Sequence, residues 1–174
     1  MFNWARRNNH SGDGEQGNIG PSSILVLVTG SPSDNLVVRM ACELLESRRS
    51  TLRLLYVIEV ARHTPLDAVI DDEATAGEQV LEEMERVASR YNCIVEAHLV
   101  QARDSGTAVV REAVEKNVEA IAIGTSVVEA FGRYSLEEHV PYILRHAPCR
   151  VILCRELTQI GSTIQRQSPG TRAL

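Results

Sequence analysis

A chain of 174 residues that is 44% hydrophobic but only 4% aromatic suits one domain whose core is built from Val, Ile, Leu and Ala. Its net charge of -5 excludes the basic footprint that nucleic-acid binding leaves. No apolar run approaches the roughly 20 residues that span a bilayer, and MFNWARR at the start is followed by no apolar stretch of the kind a signal peptide carries.

Residues 1–22 are polar and read as a flexible arm before a domain over 23–156. Ile24 to Val28 (ILVLV) is a continuous apolar run, as expected of a strand buried on both faces of a parallel sheet. The turn Thr29-Gly30-Ser31-Pro32 follows, with Ser33 or Asp34 available to cap a helix reaching about Ser47. Leu52 to Val60 is the second strand. A loop with Pro65 and the acidic run Asp71, Asp72, Glu73 leads to a helix expected over Thr75 to Tyr91. Cys93 to Val100 is the third strand, and Asp104 or Ser105 opens a third helix ending near Lys116. A fourth strand, Glu119 to Ile123, stops at Gly124. After a loop comes a helix over Leu136 to His146, ended by Pro148, and a last strand, Val151 to Cys154. Residues 157–174 read as a flexible polar tail. Five strands alternating with four helices imply an α/β fold of Rossmann-like type, an open parallel sheet with right-handed crossovers and helices on both faces.

The loop after Gly124 has the layout of a phosphate cradle without the residues that make one work. Such a turn aims the N–H groups of flexible glycines and of a helix N-terminus at an anion. Val127 puts a β-branched side chain where a phosphate would approach, and Glu137 and Glu138 bring negative charge to the same place. Ser135 and Glu138 have capping-box spacing, which would satisfy the helix end internally. The alternative is that Glu137 and Glu138 hold Mg²⁺ beneath a nucleotide. Cys42, Cys93, Cys149 and Cys154 form no C-x-x-C pair and read as buried free thiols of a reducing compartment. His139 and His146 lie two turns apart with no third ligand in view, so no metal site is expected. No nucleophile, base and oxyanion donor can be placed together either, so no catalytic residues are assigned.

The segment from Ile121 to Arg155, with Gly124 after its strand and the run Arg145-His-Ala-Pro-Cys149 closing its helix, resembles the C-terminal signature of the universal stress protein family. This family is a branch of the adenine-nucleotide α-hydrolase-like superfamily. ATP-binding members carry G-x-x-G-x9-G-[ST]. Here Gly124 keeps the first position, Val127 stands at the second glycine, and Glu137 and Glu138 replace the final pair. Thr29 likewise stands where the ATP-binding pattern has Asp before Gly30 and Ser31.

The resemblance implies strand order 3-2-1-4-5 and a ligand crevice between Thr29 and Gly124. It implies a cytoplasmic, non-catalytic stress-response or signalling module with poor or no ATP binding, acting through contacts with a protein partner. It further implies a homodimer through the last strand, at Pro148, Arg150, Val151, Ile152, Leu153 and Cys154, unless the tail covers that edge. Two alternatives stay open. One is an adenine-nucleotide switch holding ATP, AMP or a cyclic nucleotide by backbone groups near Thr29, Gly30, Val57 and Gly124. The other is a cytosolic regulatory domain of a membrane transporter, the only setting in which a membrane would be a partner.

Overall fold

The computed structural model describes residues 20–66, 71–125, 128–130 and 133–155. In chain order they form β1 (Ser23–Val28), α1 (Ser33–Leu44), β2 (Thr51–Glu59), α2 (Asp71–Ala88), β3 (Ile94–Ala102) and α3 (Ser105–Glu115). Then follow β4 (Ala120–Thr125), β5 (Val128–Ala130), β6 (Arg133–Ser135), α4 (His139–His146) and β7 (Arg150–Arg155). Five strands pair in parallel in the order β3-β2-β1-β4-β7, with β7 filling the place of the fifth strand of the expected sheet. β5 and β6 form a separate antiparallel ribbon that the sequence reading lacks.

The apolar run of β1 explains why the sheet is covered twice. Side chains alternate across a strand, so Ile24, Val26 and Val28 enter one core with Val37, Val38 and Ala41 of α1 and Leu81 and Met84 of α2. Leu25 and Leu27 enter the other, with Ile121 and Ile123 of β4, Val109 of α3, and Val140 and Ile143 of α4. Each fully buried aliphatic side chain contributes about 1.5–3 kcal/mol. β1 therefore anchors both layers.

Several expected boundaries move, among them the end of α2, at Ala88 instead of Tyr91. α1 ends at Leu44, short of Ser47. Asp71, Asp72 and Glu73 form the first turn of α2 instead of a loop, where their charges complement the positive helix end. α4 begins at His139 rather than Leu136, and Pro141 is the reason. Without an N–H, and with a ring that collides with the carbonyl of residue 137 in a longer helix, Pro141 fits only the first turn. The capping box is consequently not formed: Ser135 belongs to β6, and Glu138 occupies the cap position without a side-chain hydrogen bond to the helix.

The two edge strands differ. β3 carries Glu96, His98 and Gln101, and Glu96 pairs with Arg53 of β2. β7 is apolar through its middle, and among the described residues it pairs only with β4. No helix among the described residues is long and apolar enough to cross a membrane.

Candidate functional site

In an open α/β sheet the ligand crevice lies at the carboxyl ends of the strands where the order reverses, here between β1 and β4. β1 hands over to a turn in which Gly30 takes φ +80°, a left-handed conformation that a side chain would strain. This bend brings three successive amides together, and Asp34 fills the space they enclose. Its Oδ2 accepts from the N–H of Thr29 at 2.9 Å, Gly30 at 2.7 Å and Ser31 at 3.2 Å. Its Oδ1 accepts from the Ser31 hydroxyl at 3.0 Å. Successive N–H groups around a left-handed residue make an anion-binding concavity. Here the anion is the protein's own carboxylate, 2% exposed.

The expected cap role of Asp34 is thus corrected. Its carboxylate turns back onto the preceding turn, while Pro32 holds the cap position of α1 and makes no side-chain hydrogen bond. Gly124 differs from expectation too. It does not form a turn but lies inside β4, opposite Cys154 of β7. A Cβ on Gly124 would stand 2.5 Å from Ser33 Oγ and 3.0 Å from Val37 Cγ2. The missing side chain lets the first turn of α1 press against β4, and Ser33 fills the crevice at that point. Val57 sits on β2 one residue beyond the Val28–Tyr56 pair, half-buried against the core on the α3–α4 side. Thr29 and Gly30 are exposed.

The neighbouring helix end is occupied in the same manner. Glu59, the last residue of β2, accepts through Oε1 from the Ser105 N–H at 2.8 Å and the Ser105 hydroxyl at 2.6 Å. Asp104 caps α3 by accepting from the Thr107 N–H at 2.6 Å and hydroxyl at 2.7 Å. That cap was legible as a choice between Asp104 and Ser105; the part of Glu59 was not.

On the β4 side, Val127 lies outside the described residues. Glu137 places Oε2 3.4 Å from the buried Nε2 of His139, which has no hydrogen-bond partner among the described residues. Glu138 is exposed. Among the described residues no group of three or more His, Cys, Asp or Glu is placed to hold a metal ion.

The four cysteines are free thiols. Cys42 of α1 and Cys93, just before β3, lie with their sulfurs 4.0 Å apart, a proximity their spacing does not announce. Burial, then the neighbouring Cys93, pushes the Cys42 thiol up to about 12. On β7, Arg150, Leu153 and nearby Pro148 are exposed, Val151 and Ile152 are half-buried, and Cys154 points into the core.

The sequence matches the profile of the Universal stress protein family over residues 22–155. No functionally curated protein matches it. Among solved structures it is similar to a universal stress protein from Archaeoglobus fulgidus, at 20% identity and a TM-score of 0.64, covering 75% of this chain and 96% of that one. The structure of the Archaeoglobus fulgidus universal stress protein in complex with dAMP aligns at 20% identity and a TM-score of 0.58, covering 75% and 95%. A universal stress protein family protein from Arabidopsis thaliana with AMP bound aligns at 14% identity and a TM-score of 0.55, covering 83% and 98%. At these identities the likeness concerns the fold.

Proposed function

Because the chain belongs to the universal stress protein family, we propose that it is a non-catalytic recognition module whose nucleotide crevice is closed from within, and that it acts through protein contacts as a homodimer. One observation carries this reading. The three amides that would face a ligand at the end of β1 are bonded to the buried Asp34 carboxylate. A phosphate entering there would have to displace a charge-assisted contact and approach a fixed negative charge. Glu59 and Asp104 at the start of α3 add two more carboxylates to the same end of the sheet.

The apolar β7 edge supports the dimer. Leu153 is exposed there, Met40 and Leu44 are exposed on α1, which packs against β7, and Leu144 is exposed on α4. An uncovered apolar edge strand invites pairing with another chain. Val151, Ile152 and Leu153 supply the apolar contact, Pro148 and Arg150 its rim, and Cys154 only its backbone.

The rival reading is an adenine-nucleotide switch, favoured by the similar structures that hold dAMP and AMP. Thermal melts with AMP, with ATP and Mg²⁺, and with inorganic tripolyphosphate separate the two. A ligand at 100 times its dissociation constant stabilises by about 2.7 kcal/mol. Our reading expects no stabilisation by AMP, and none by ATP beyond what tripolyphosphate alone produces. An adenosine-dependent rise would overturn it. Sedimentation tests the other half: a dimer for the wild type, a monomer for Leu153→Arg. A wild type that sediments as a monomer would refute the dimer.

A further inference from the structure

A second concave surface lies away from the crevice, between the outer faces of α1 and α2. This groove of about 600 Å³ is lined by Asn35 and Arg39 of α1, Glu83, Arg86 and Val87 of α2, and Arg90 and Tyr91 of the turn after α2. Its volume falls in the range of small-molecule sites. Three arginines line it, although the whole chain carries a net charge of -5. Among the described residues, none of the three lies within 4.0 Å of a carboxylate, whereas Arg53, Arg111 and Arg150 all do.

Two of the three arginines are held by hydrogen bonds, and Arg39 also feels the charge of Glu43. Arg39 donates through Nε to the Tyr91 hydroxyl at 3.4 Å, and that hydroxyl donates to Glu43 at 3.4 Å. Arg86 donates through Nε to the Glu82 carbonyl at 3.2 Å. Both bonds use the inner nitrogen and leave the outer fork of the guanidinium open. Bringing three like charges together costs energy that an anion between them would relieve. The planar forks match phosphate oxygens bidentately. Their spread over α1, α2 and the turn after α2 calls for more than one anionic group. A smaller recess of about 270 Å³, lined by Gly30, Ser31, Asp34, Asn35 and Glu83 among others, shares Asn35 and Glu83 with the groove and reaches toward the end of β1, where the Asp34 carboxylate bounds the space open to phosphates.

We propose that the groove between α1 and α2 is a binding site for a small soluble molecule carrying two or three linked phosphates. Arg39, Arg86 and Arg90 hold the phosphates, Asn35 donates a further hydrogen bond, and Glu83, the one carboxylate in the lining, limits affinity. The site uses donors other than the amides of the closed crevice, which it adjoins through the smaller recess.

Calorimetric titration of the full chain with inorganic tripolyphosphate at low salt tests the assignment. Saturable binding is expected, weakened about tenfold or more in the double variant Arg86→Gln/Arg90→Gln, since each loses a charge-assisted contact. Glu83→Gln should bind more tightly than the wild type. All three arginines and Glu83 are exposed, so the variants should fold, which circular dichroism verifies. Absence of saturable binding, or equal affinity in the wild type and the double variant, would overturn the proposal.

Discussion

The turn after β1 and the groove between α1 and α2 both present clustered hydrogen-bond donors, and they differ in what those donors meet. In the turn, three amides converge on Asp34, a side chain only a few residues along the chain. In the groove, three arginines line one surface, and among the described residues none of them lies within 4.0 Å of a carboxylate. Donors satisfied internally stabilise the fold and offer little to a ligand, whereas donors left open add little to stability and remain available. A concave, polar surface is thus a poor guide to binding until its internal partners are identified.

Asp34→Ala should have the largest effect on this contrast. Removing a buried acceptor leaves three amides without a partner, and unfolding in urea should show a loss of about 3 kcal/mol. A loss under about 1 kcal/mol would mean the carboxylate does not hold the turn, and the contrast would fail. Gly124→Ala comes next, at about 2 kcal/mol, because the added methyl overlaps Ser33. Ser33→Ala in the same chain should recover part of that loss in a double-mutant cycle. Purely additive losses would show that Ser33 is not what occupies the crevice.

Glu59→Gln should cost about 1 kcal/mol, the difference between a charge-assisted and a neutral cap at Ser105. The smallest effect concerns a buried thiol of α1. The Cys42 thiol is raised from its ordinary value of 9.0 to about 12, chiefly by burial. An acid whose folded-state value is raised favours the folded state fully below pH 9.0 and loses that contribution as pH rises toward about 12. The decline in stability over that window, followed by chemical unfolding, should be shallower in Cys42→Ala than in the wild type. Equal slopes would show the thiol to be no more buried in the folded chain than in the unfolded one.

Much of the fold is legible along the chain because its signals are local. The ILVLV run marks a strand covered on both faces, and Asp104 two residues before Gly106 marks a helix start. Strand order came from resemblance to a family, not from the residues themselves, since pairing of β1 with β4 joins segments far apart in sequence. The site was harder to read for the same reason. Glu59 reaches Ser105 across 46 residues, and nothing near either one announces it.

Asp34 was visible as a helix-start residue. Which N–H groups it would serve depended on the left-handed bend at Gly30, which reverses the usual direction of a cap. Gly124 gave the signal of a ligand turn, yet the same absence of a side chain serves equally well where a helix packs tightly on a strand. The start of α4 is legible in the sequence, because Pro141 limits how far back that helix can extend.

The central claim is that the amides of Thr29, Gly30 and Ser31 belong to Asp34 and not to a nucleotide. Nuclear magnetic resonance of the ¹⁵N-labelled Arg86→Gln/Arg90→Gln variant, titrated with millimolar ATP and Mg²⁺, observes those three N–H groups individually while binding in the adjoining arginine groove is suppressed. Their resonances should stay in place throughout the titration. Saturable movement of all three would mean that the crevice opens to nucleotide and would contradict the account.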